Sequence, residues 1–203
     1  ASFLENLGVT IHVNAIVQDY DGAILKLNNK QTMRTKNLIW AAGVTGASIE
    51  GFDTNMLVER LNRYRVNEFN QVIGFDAIFA IGDIAYMESP DYPNGHPQVA
   101  QPAIQQGEHL AKNLSLLFQG KNLKPFSYFD KGTLATIGRN RAVADLGKLK
   151  FGGFFAWFIW IFVHLMALVG FRNKVVVLFN WDYNYINYVK AARLIVRPFK
   201  RKV

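Results

Sequence analysis

The residues best suited to chemistry in this sequence lie between Ala77 and Gly107. Gly82 and Asp83 end a short apolar run; a glycine there lets the backbone approach a cofactor, and the carboxylate can accept hydrogen bonds from sugar hydroxyls. A helix is predicted to begin at Ala100, and because its first turn has no acidic side chain, its positive dipole end is left to face an anion or an electron-rich ring. These residues predict one wall of a cofactor site, although the dipeptide alone is more typical of a strand end followed by a helix cap.

The sequence offers little to a metal ion or to thiol chemistry. It contains no cysteine, so disulfides, thiolate nucleophiles and cysteine metal sites are excluded. The histidines lack the spacing of metal ligands; they are His12, His96, His109 and His164. We therefore predict no metal site.

Short strands and one helix must position the residues of this predicted cofactor site. Alternating apolar and polar residues, separated by turns, predict a small antiparallel meander from residues 9–13, 15–17, 23–27 and 31–36. Residues 38–43 form a continuous apolar run that ends in Gly43, and they predict a strand buried on both faces. Residues 77–81 predict another buried strand, which ends directly before Gly82.

A turn-rich loop and a helix follow that strand. The loop, residues 87–97, holds three prolines, which is strong turn chemistry. Apolar residues then recur at helical spacing and Gly120 supplies a stop, so we expect a helix from about Ala100 to Gln119. Pro102 fits in its first turn, where the missing backbone donor costs nothing.

Charge is distributed unevenly along the chain. The net charge is +8, yet residues 1–145 carry 13 basic and 14 acidic residues, whereas residues 146–203 carry 10 basic residues and the single acid Asp182. A basic surface of this size suits nucleic acid, an anionic membrane or an acidic partner. The positive excess belongs entirely to the C-terminal segment.

The same C-terminal segment is strongly apolar. Residues 154–169 carry no charge, which predicts a helix buried in protein or lipid, and residues 175–197 have the spacing of an amphipathic helix. The apolar helix would span about 24 Å against a hydrocarbon core of about 30 Å, so a transmembrane span is marginal. A core helix would carry fewer large aromatic residues beside so basic a neighbour. We favour a monotopic arrangement in which both helices lie in the membrane interface near anionic headgroups.

Several segments together resemble a known family. The sequence is similar to type II NADH:quinone oxidoreductases, single-chain flavoproteins with two dinucleotide-binding domains, in the segments AIFAIGDIA, VAQPAIQQGEHLAKNL, LIWAAGV, YFDKGTLATIGRNRAVADLG and GGFFAWFIWIFVHLMALVGFRNK. The resemblance implies an α/β fold: part of a Rossmann-like flavoprotein of two dinucleotide-binding domains, with a C-terminal helical membrane-binding segment. It implies the end of an NADH-binding domain in residues 1–44, the second half of an FAD-binding domain in 45–147 and membrane-binding helices in 148–203.

The resemblance also implies contacts with two nucleotide cofactors. Gly82 and Asp83 would line FAD, with Asp83 on the ribityl chain, and the backbone at Ala100 and Gln101 would meet the isoalloxazine ring. The dipeptide Ala42-Gly43 would contact NADH, although a strand end packed against a helix suits it as well.

A quinone pocket is implied by the same resemblance. Gln101, Gln105 and Lys131 would border the quinone headgroup, where an amide can donate to a carbonyl oxygen and an ammonium can stabilise developing negative charge. Some relatives have a histidine where Ile104 stands, so the resemblance leaves the proton donor to the quinone unassigned.

The implied reaction is hydride transfer from NADH to FAD, followed by two-electron reduction of a membrane quinone. The implied enzyme is peripheral, on the cytoplasmic face of the cell membrane, with no nucleic acid partner; a homodimer is left open. No G-x-G-x-x-G occurs in these residues, so we expect the pyrophosphate-binding turns upstream, and we expect the 203 residues alone to purify colourless and inactive. Two alternatives remain: another two-domain flavoprotein reductase with a soluble acceptor, and a non-catalytic basic module that binds a membrane surface or nucleic acid.

Overall fold

The computed structural model of the chain describes residues 1–47, 49–51, 57–58 and 61–187. Within these residues it contains three small sheets, each of three strands, and four α-helices. The first helix, α1, is a single short turn-and-a-half at Ser2–Asn6. The other three helices carry the features that bear on function.

The first sheet is the antiparallel meander that the sequence predicts. Its strands are β1 (Val17–Tyr20), β2 (Ile24–Leu27) and β3 (Thr32–Arg34), paired in the order β1-β2-β3. The turn before β2 is closed by Asp21, whose carboxylate accepts the backbone N–H groups of Ile24 and Ala23 at 2.7 and 2.8 Å. Residues 9–13, predicted to be a further strand, form none and are exposed, because no described strand offers them a hydrogen-bonding partner.

The prediction of a doubly buried strand at residues 38–43 is wrong. The segment has no regular structure, and Ile39 and Trp40 are 90% and 64% exposed. An apolar run becomes a buried strand only where neighbouring strands supply a hydrogen-bonding ladder, and none of the described strands lies beside this one.

The second sheet holds the main core. Its strands are β4 (Leu57–Val58), β5 (Arg63–Arg65) and β6 (Ala85–Tyr86), with β5 and β6 parallel. The buried apolar residues around it are Tyr64, Val66, Val72, Ala80, Ala85 and Met87. Residues 77–81, predicted to be a strand, contain only an isolated bridge between Phe79 and Gln71, so that prediction is also wrong; the segment packs into the core without a ladder of its own.

The predicted central helix is confirmed. Helix α2 spans Ala100–Phe118, one residue short of the expected end, and Pro102 lies buried in its first turn. Gly120 ends the helix in the left-handed conformation, at a φ of 69°, which glycine adopts without a steric penalty.

The third sheet carries the C-terminal helices. Strands β7 (Thr133–Thr136), β8 (Ala142–Asp145) and β9 (Lys150–Gly153) form an antiparallel meander, and helix α3 (Phe154–Ala167) packs on it. The small buried residues Ala142, Ala144 and Ala156 let the helix lie close to the sheet.

Helix α4 (Phe171–Asn187) follows α3 after a short turn and contacts it. Both helices are where the sequence places them, although α4 begins four residues before the expected start at Val175. The rest of the predicted helix, up to Arg197, lies outside the described residues. In the described part of the chain, none of the helices combines the length and the apolar character that crossing a bilayer requires.

Candidate functional site

The predicted cofactor wall is assembled where Gly82 meets α2. Residues Gly82–Ile84 form a 3₁₀ turn with Gly82 at a φ of 68°, and a Cβ atom added there would lie 3.1 Å from the Cβ of Ala103. The Gly82 N–H donates to Oε1 of Gln106 at 2.7 Å, and Gln106 is 1% exposed. Glycine is therefore favoured here both for its backbone conformation and for close contact with the helix.

Asp83 follows at the exposed side of this contact. Its backbone carbonyl accepts a hydrogen bond from Nε2 of Gln98 at 2.9 Å, which fixes the main chain. The residue itself is exposed to solvent. The start of α2 beside it has no capping side chain at Val99 and no acidic residue in its first turn. The N–H groups of Ala100 and Gln101 therefore keep the positive end of the helix dipole available to a bound group.

Gln101 and Gln105 both bind the backbone of the segment that leads into the third sheet. Gln101 accepts the Lys131 N–H at 3.1 Å and donates to the Gly132 carbonyl at 2.6 Å. Gln105 accepts the Phe129 N–H at 3.0 Å and donates to the carbonyl of the same residue at 2.9 Å. Each amide thus acts as a two-sided clamp.

The clamps belong to a longer row of side chains spaced four residues apart along α2. One turn further on, His109 Nε2 lies 2.8 Å from the Lys124 carbonyl oxygen. After another turn, Asn113 donates to that oxygen at 2.8 Å and accepts the Lys124 N–H at 3.0 Å. We call Gln101, Gln105, His109 and Asn113 the polar row; it binds residues 124–132 along the helix. Sequence reasoning missed the row, although its spacing of four places it on one helix face.

Lys131 is held beside the start of α2 by this arrangement. Its side chain is exposed, and its backbone is fixed by Gln101 on one side. On the other side Gly132 has a φ of 88°, and a Cβ atom there would lie 2.5 Å from the carbonyl oxygen of Asp145 in β8. The structure therefore brings Lys131, Gln101 and Gln105 together at one end of α2.

Ile104 and the predicted NADH contacts complete the set of sequence candidates. Ile104, in the first turns of α2, is 58% exposed. Ala42 and Gly43 are exposed in the irregular segment that follows the first sheet, with Gly43 at a φ of 77°. In the described residues no group of His, Asp and Glu side chains could hold a metal ion.

A buried polar pair, which the sequence did not reveal, fixes the loop before α2. Arg63 and His96 are each 3% exposed, and Nη2 of Arg63 donates to the carbonyl oxygens of Ala85 and, at 3.0 Å, His96. The imidazole is surrounded by the rings of Tyr92, Phe126 and Tyr128, with centroids 5.1 to 5.6 Å away. Burial lowers the pKa of His96, and the charge of Arg63 lowers it further.

Helices α3 and α4 leave a broad apolar surface uncovered by the described residues. Its members are at least 58% exposed, and they include Phe155, Phe158, Phe162, Phe179 and Ile186. We call this the hairpin face. Exposed apolar area of this extent in a folded protein is typical of an interaction site. Arg172 and Lys174, both on α4, add positive charge at the turn between the helices.

Comparison with known proteins relates this arrangement to one enzyme family. Residues 1–107 match the pyridine nucleotide-disulphide oxidoreductase family, and residues 131–187 match the NDH2 C-terminal domain. Two type II NADH:quinone oxidoreductases of Mycobacterium tuberculosis, NdhA and Ndh, are 35% and 34% identical over 95% and 92% of the chain. The internal alternative NAD(P)H-ubiquinone oxidoreductase A1 of Arabidopsis thaliana mitochondria is 31% identical over 88% of it.

The fold agrees with these matches. The structure of NDH2 from Plasmodium falciparum in complex with NADH superposes with a TM-score of 0.75 at 20% identity, over 91% of this chain and 53% of that one. The chain spans 42% and 41% of the length of the two mycobacterial relatives. The predicted α/β fold class is therefore confirmed. This chain belongs to the pyridine nucleotide-disulphide oxidoreductase family and corresponds to the C-terminal portion of the type II NADH:quinone oxidoreductases.

Proposed function

We propose that this chain forms the later part of a flavoenzyme that passes electrons from NADH through FAD to a membrane quinone. In this proposal residues 1–44 end the NADH-binding domain, residues 45–147 form the second half of the FAD-binding domain, and residues 148–203 bind the membrane. The names of the relatives, type II NADH:quinone oxidoreductases, support the activity.

The observation that carries the proposal is the contact between Gly82 and the uncapped start of α2. The close approach of backbone and helix leaves little room for a side chain at Gly82, and the exposed residue Asp83 lies in the turn that packs against α2. This arrangement would suit a flavin: Asp83 would accept hydrogen bonds from ribityl hydroxyls, and the N–H groups of Ala100 and Gln101 would donate to the isoalloxazine ring. Bound FAD supplies hydride acceptance and two-electron transfer, chemistry that the side chains present do not provide.

The protein's own contribution at the ring is electrostatic. A helix N-terminus stabilises nearby negative charge by about 0.3–1 kcal/mol, and by up to about 2 kcal/mol in partly buried sites. The absence of an acidic residue in the first turn of α2 keeps that field uncompensated. Ala42 and Gly43 lie on the NADH side in this proposal.

Quinone binding is proposed at the end of α2 where the polar row begins. Gln101 and Gln105 hold the backbone around Lys131, so their first role is to position that lysine. Each amide also has a second N–H, which suits a quinone carbonyl oxygen at the same surface. The Lys131 ammonium stabilises negative charge on that oxygen as electrons arrive.

Attachment to the membrane is proposed through the hairpin face, in a monotopic arrangement on the cytoplasmic side. Large apolar side chains enter the boundary between headgroups and acyl chains, while Arg172 and Lys174 remain near anionic lipid phosphates. The quinone would then reach the start of α2 from the bilayer.

The test uses the full-length protein with NADH and either a membrane quinone in liposomes or the water-soluble acceptor ferricyanide. We expect a stoichiometric flavin absorbance spectrum and activity with both acceptors. Replacing Lys131 with methionine should lower quinone reduction about tenfold, the cost of about 1.4 kcal/mol of lost charge stabilisation, and leave ferricyanide reduction unchanged.

Lys124→Met provides the matched control, because Lys124 is an exposed lysine on the same bound segment and its hydrogen bonds to α2 are made by its backbone N–H and carbonyl. A full-length protein without flavin, or one that reduces ferricyanide but no quinone, would contradict the proposed function. Equal losses of quinone reduction in the two lysine variants would mean that Lys131 has no specific role in quinone binding.

A further inference from the structure

A buried arginine joins the two segments that form the proposed flavin site. Arg63 is 3% exposed, and one nitrogen of its guanidinium, Nη2, donates to two backbone carbonyl oxygens. The first belongs to Ala85, which directly follows the turn Gly82–Ile84, and the second belongs to His96, four residues before the start of α2. The positive charge of Arg63 therefore lies between the turn and the loop that leads into the helix.

This charge has no carboxylate partner among the described residues. Their ion pairs do not include Arg63, and its buried Nε atom has no hydrogen-bond partner. Taking a guanidinium out of water without a counterion is costly, and charged groups in such surroundings concentrate at functional sites. The two carbonyl bonds alone do not account for an arginine, because a neutral side-chain amide also has two N–H donors.

The guanidinium is held in place by its packing as well as by its hydrogen bonds. It lies 5.4 Å from the centroid of the Tyr86 ring. A Cβ atom added at Gly95, where φ is 79°, would lie 2.8 Å from carbons of that ring and 3.5 Å from Nη1 of Arg63. Glycine thus lets the loop pack closely against both groups, and the position of the charge is set before any ligand binds.

The charge also lies within electrostatic range of the flavin site. Burial lowers the pKa of Arg63, and the negative charge of Asp83 opposes that shift. Asp83 is the residue proposed to bind the ribityl chain, so the guanidinium and the flavin share a neighbour. At an effective dielectric constant of about 20, two unit charges about 10 Å apart still interact by more than the thermal energy.

We propose that Arg63 is a positioning residue whose buried charge raises the reduction potential of the bound flavin. This inference rests on the proposed function. When a hydride from NADH is accepted, the flavin ring gains two electrons and one proton, NAD⁺ leaves, and one negative charge remains on the ring. A cation held in place beforehand stabilises that charge without reorganisation, and its effect adds to that of the helix dipole at the start of α2.

The midpoint potential of the flavin tests this role directly. It is measured at one pH by anaerobic reductive titration of the full-length protein against a reference dye. The variant Arg63→Gln removes the charge and keeps an amide with two N–H donors for the two carbonyl oxygens. We expect flavin reduction to become about tenfold less favourable, which lowers the potential of a two-electron couple by about 30 mV.

Two further variants separate the buried charge from other effects. Arg63→Lys retains the charge and should keep most of the potential that Arg63→Gln loses. Arg65→Gln is the matched control, because Arg65 is exposed, lies 5.7 Å from the centroid of the same Tyr86 ring and pairs with Glu88 at 4.0 Å. It removes an equal charge from the surface, where solvent and salt screen it, and should leave the potential unchanged.

A second pair of variants applies if Arg63→Gln does not fold or does not retain flavin. Tyr86 is partly exposed and its ring lies beside the guanidinium, so Tyr86→Glu brings a carboxylate near Arg63, and Tyr86→Gln is its neutral match. We expect a lower potential in Tyr86→Glu than in Tyr86→Gln, because the added carboxylate offsets the charge of Arg63.

An unchanged potential in Arg63→Gln, or equal potentials in the two Tyr86 variants, would overturn the inference while leaving the flavin proposal intact. A loss in Arg63→Lys as large as that in Arg63→Gln would assign the effect to the hydrogen bonds of the guanidinium and overturn the role of its charge. An equal shift in Arg65→Gln would overturn the role of burial. A full-length protein without flavin would overturn the proposed function together with this inference.

Discussion

Helix α2 and the hairpin of α3 and α4 use their surfaces in opposite ways. The polar row of α2 is occupied by the protein's own backbone, since residues 124–132 hydrogen-bond to it at four successive turns. The hairpin face carries phenylalanines that the described residues leave exposed. The polar face therefore binds the protein's own backbone, while the apolar face is the one that we propose to bind a partner.

The largest expected effect comes from placing charge on the hairpin face. Phe158 and Phe162 are each 58% exposed, so the double variant Phe158→Glu, Phe162→Glu should fold. Burying each phenylalanine in lipid is worth about 1.5–3 kcal/mol, so vesicle affinity should fall at least about a hundredfold in a flotation assay.

The matched control for that variant is Phe118→Glu, since Phe118 is 86% exposed at the end of α2. It should leave vesicle binding unchanged. A similar loss of vesicle affinity in Phe118→Glu would mean that the end of α2 also contacts the membrane, and the proposed difference between α2 and the hairpin face would then be wrong.

The next effect concerns the glycine that anchors the Lys131 segment. In Gly132→Ala the new methyl group would lie 2.5 Å from the Asp145 carbonyl oxygen, at a φ of 88° that alanine rarely adopts. We expect the free energy of unfolding to fall by about 2–4 kcal/mol, measured by urea denaturation of the full-length protein. Gly147→Ala also has a positive φ, of 76°, but an open surrounding, and should cost about 1 kcal/mol. Equal costs would mean that contact with β8 contributes nothing.

Within the polar row, removing a buried amide should lower the free energy of unfolding more than removing an exposed one. Asn113 is 1% exposed and makes two hydrogen bonds to Lys124, so Asn113→Ala should destabilise by about 2–3 kcal/mol. The Gln105 bonds are exposed, and Gln105→Ala should cost about 0.5–1.5 kcal/mol. Urea denaturation of the two variants side by side checks the order, and a costlier Gln105→Ala would contradict it.

The smallest effect is a pH dependence from His96. Because burial and Arg63 lower its pKa in the folded state, the unfolded chain binds the proton more readily. The stability contributed by neutral His96 is complete above the ordinary histidine pKa of about 6.5 and is lost as the pH falls below it. His96→Gln should flatten this part of the stability profile between pH 7 and pH 5; an unchanged slope would assign it to another group.

The sequence could predict those features that depend on interactions between residues close together in the chain. Helix α2 was found within one residue because periodicity, Pro102 in the first turn and Gly120 at the end all act within a few residues. The strands predicted at residues 38–43 and 77–81 failed because a strand depends on partners elsewhere in the chain.

The candidate site divides in the same way. Gly82 and the uncapped helix start could be predicted, since conformation and dipole are properties of the local chain. The backbone partners of Gln101 and Gln105 could not be predicted, and neither could the hydrogen bond from Arg63 to the His96 carbonyl, because each joins residues about 24 to 33 positions apart. The roles of Asp83, Lys131, Ala42 and Gly43 stay predictions.

The central claim is that the hairpin face meets lipid, while the polar row holds residues 124–132 by hydrogen bonds within the protein. Hydrogen–deuterium exchange of the full-length protein, with and without lipid vesicles, tests both halves at once. We predict that lipid slows exchange in peptides from residues 154–187 and leaves residues 124–132 unchanged. Protection of residues 124–132 without any change in 154–187 would contradict the account.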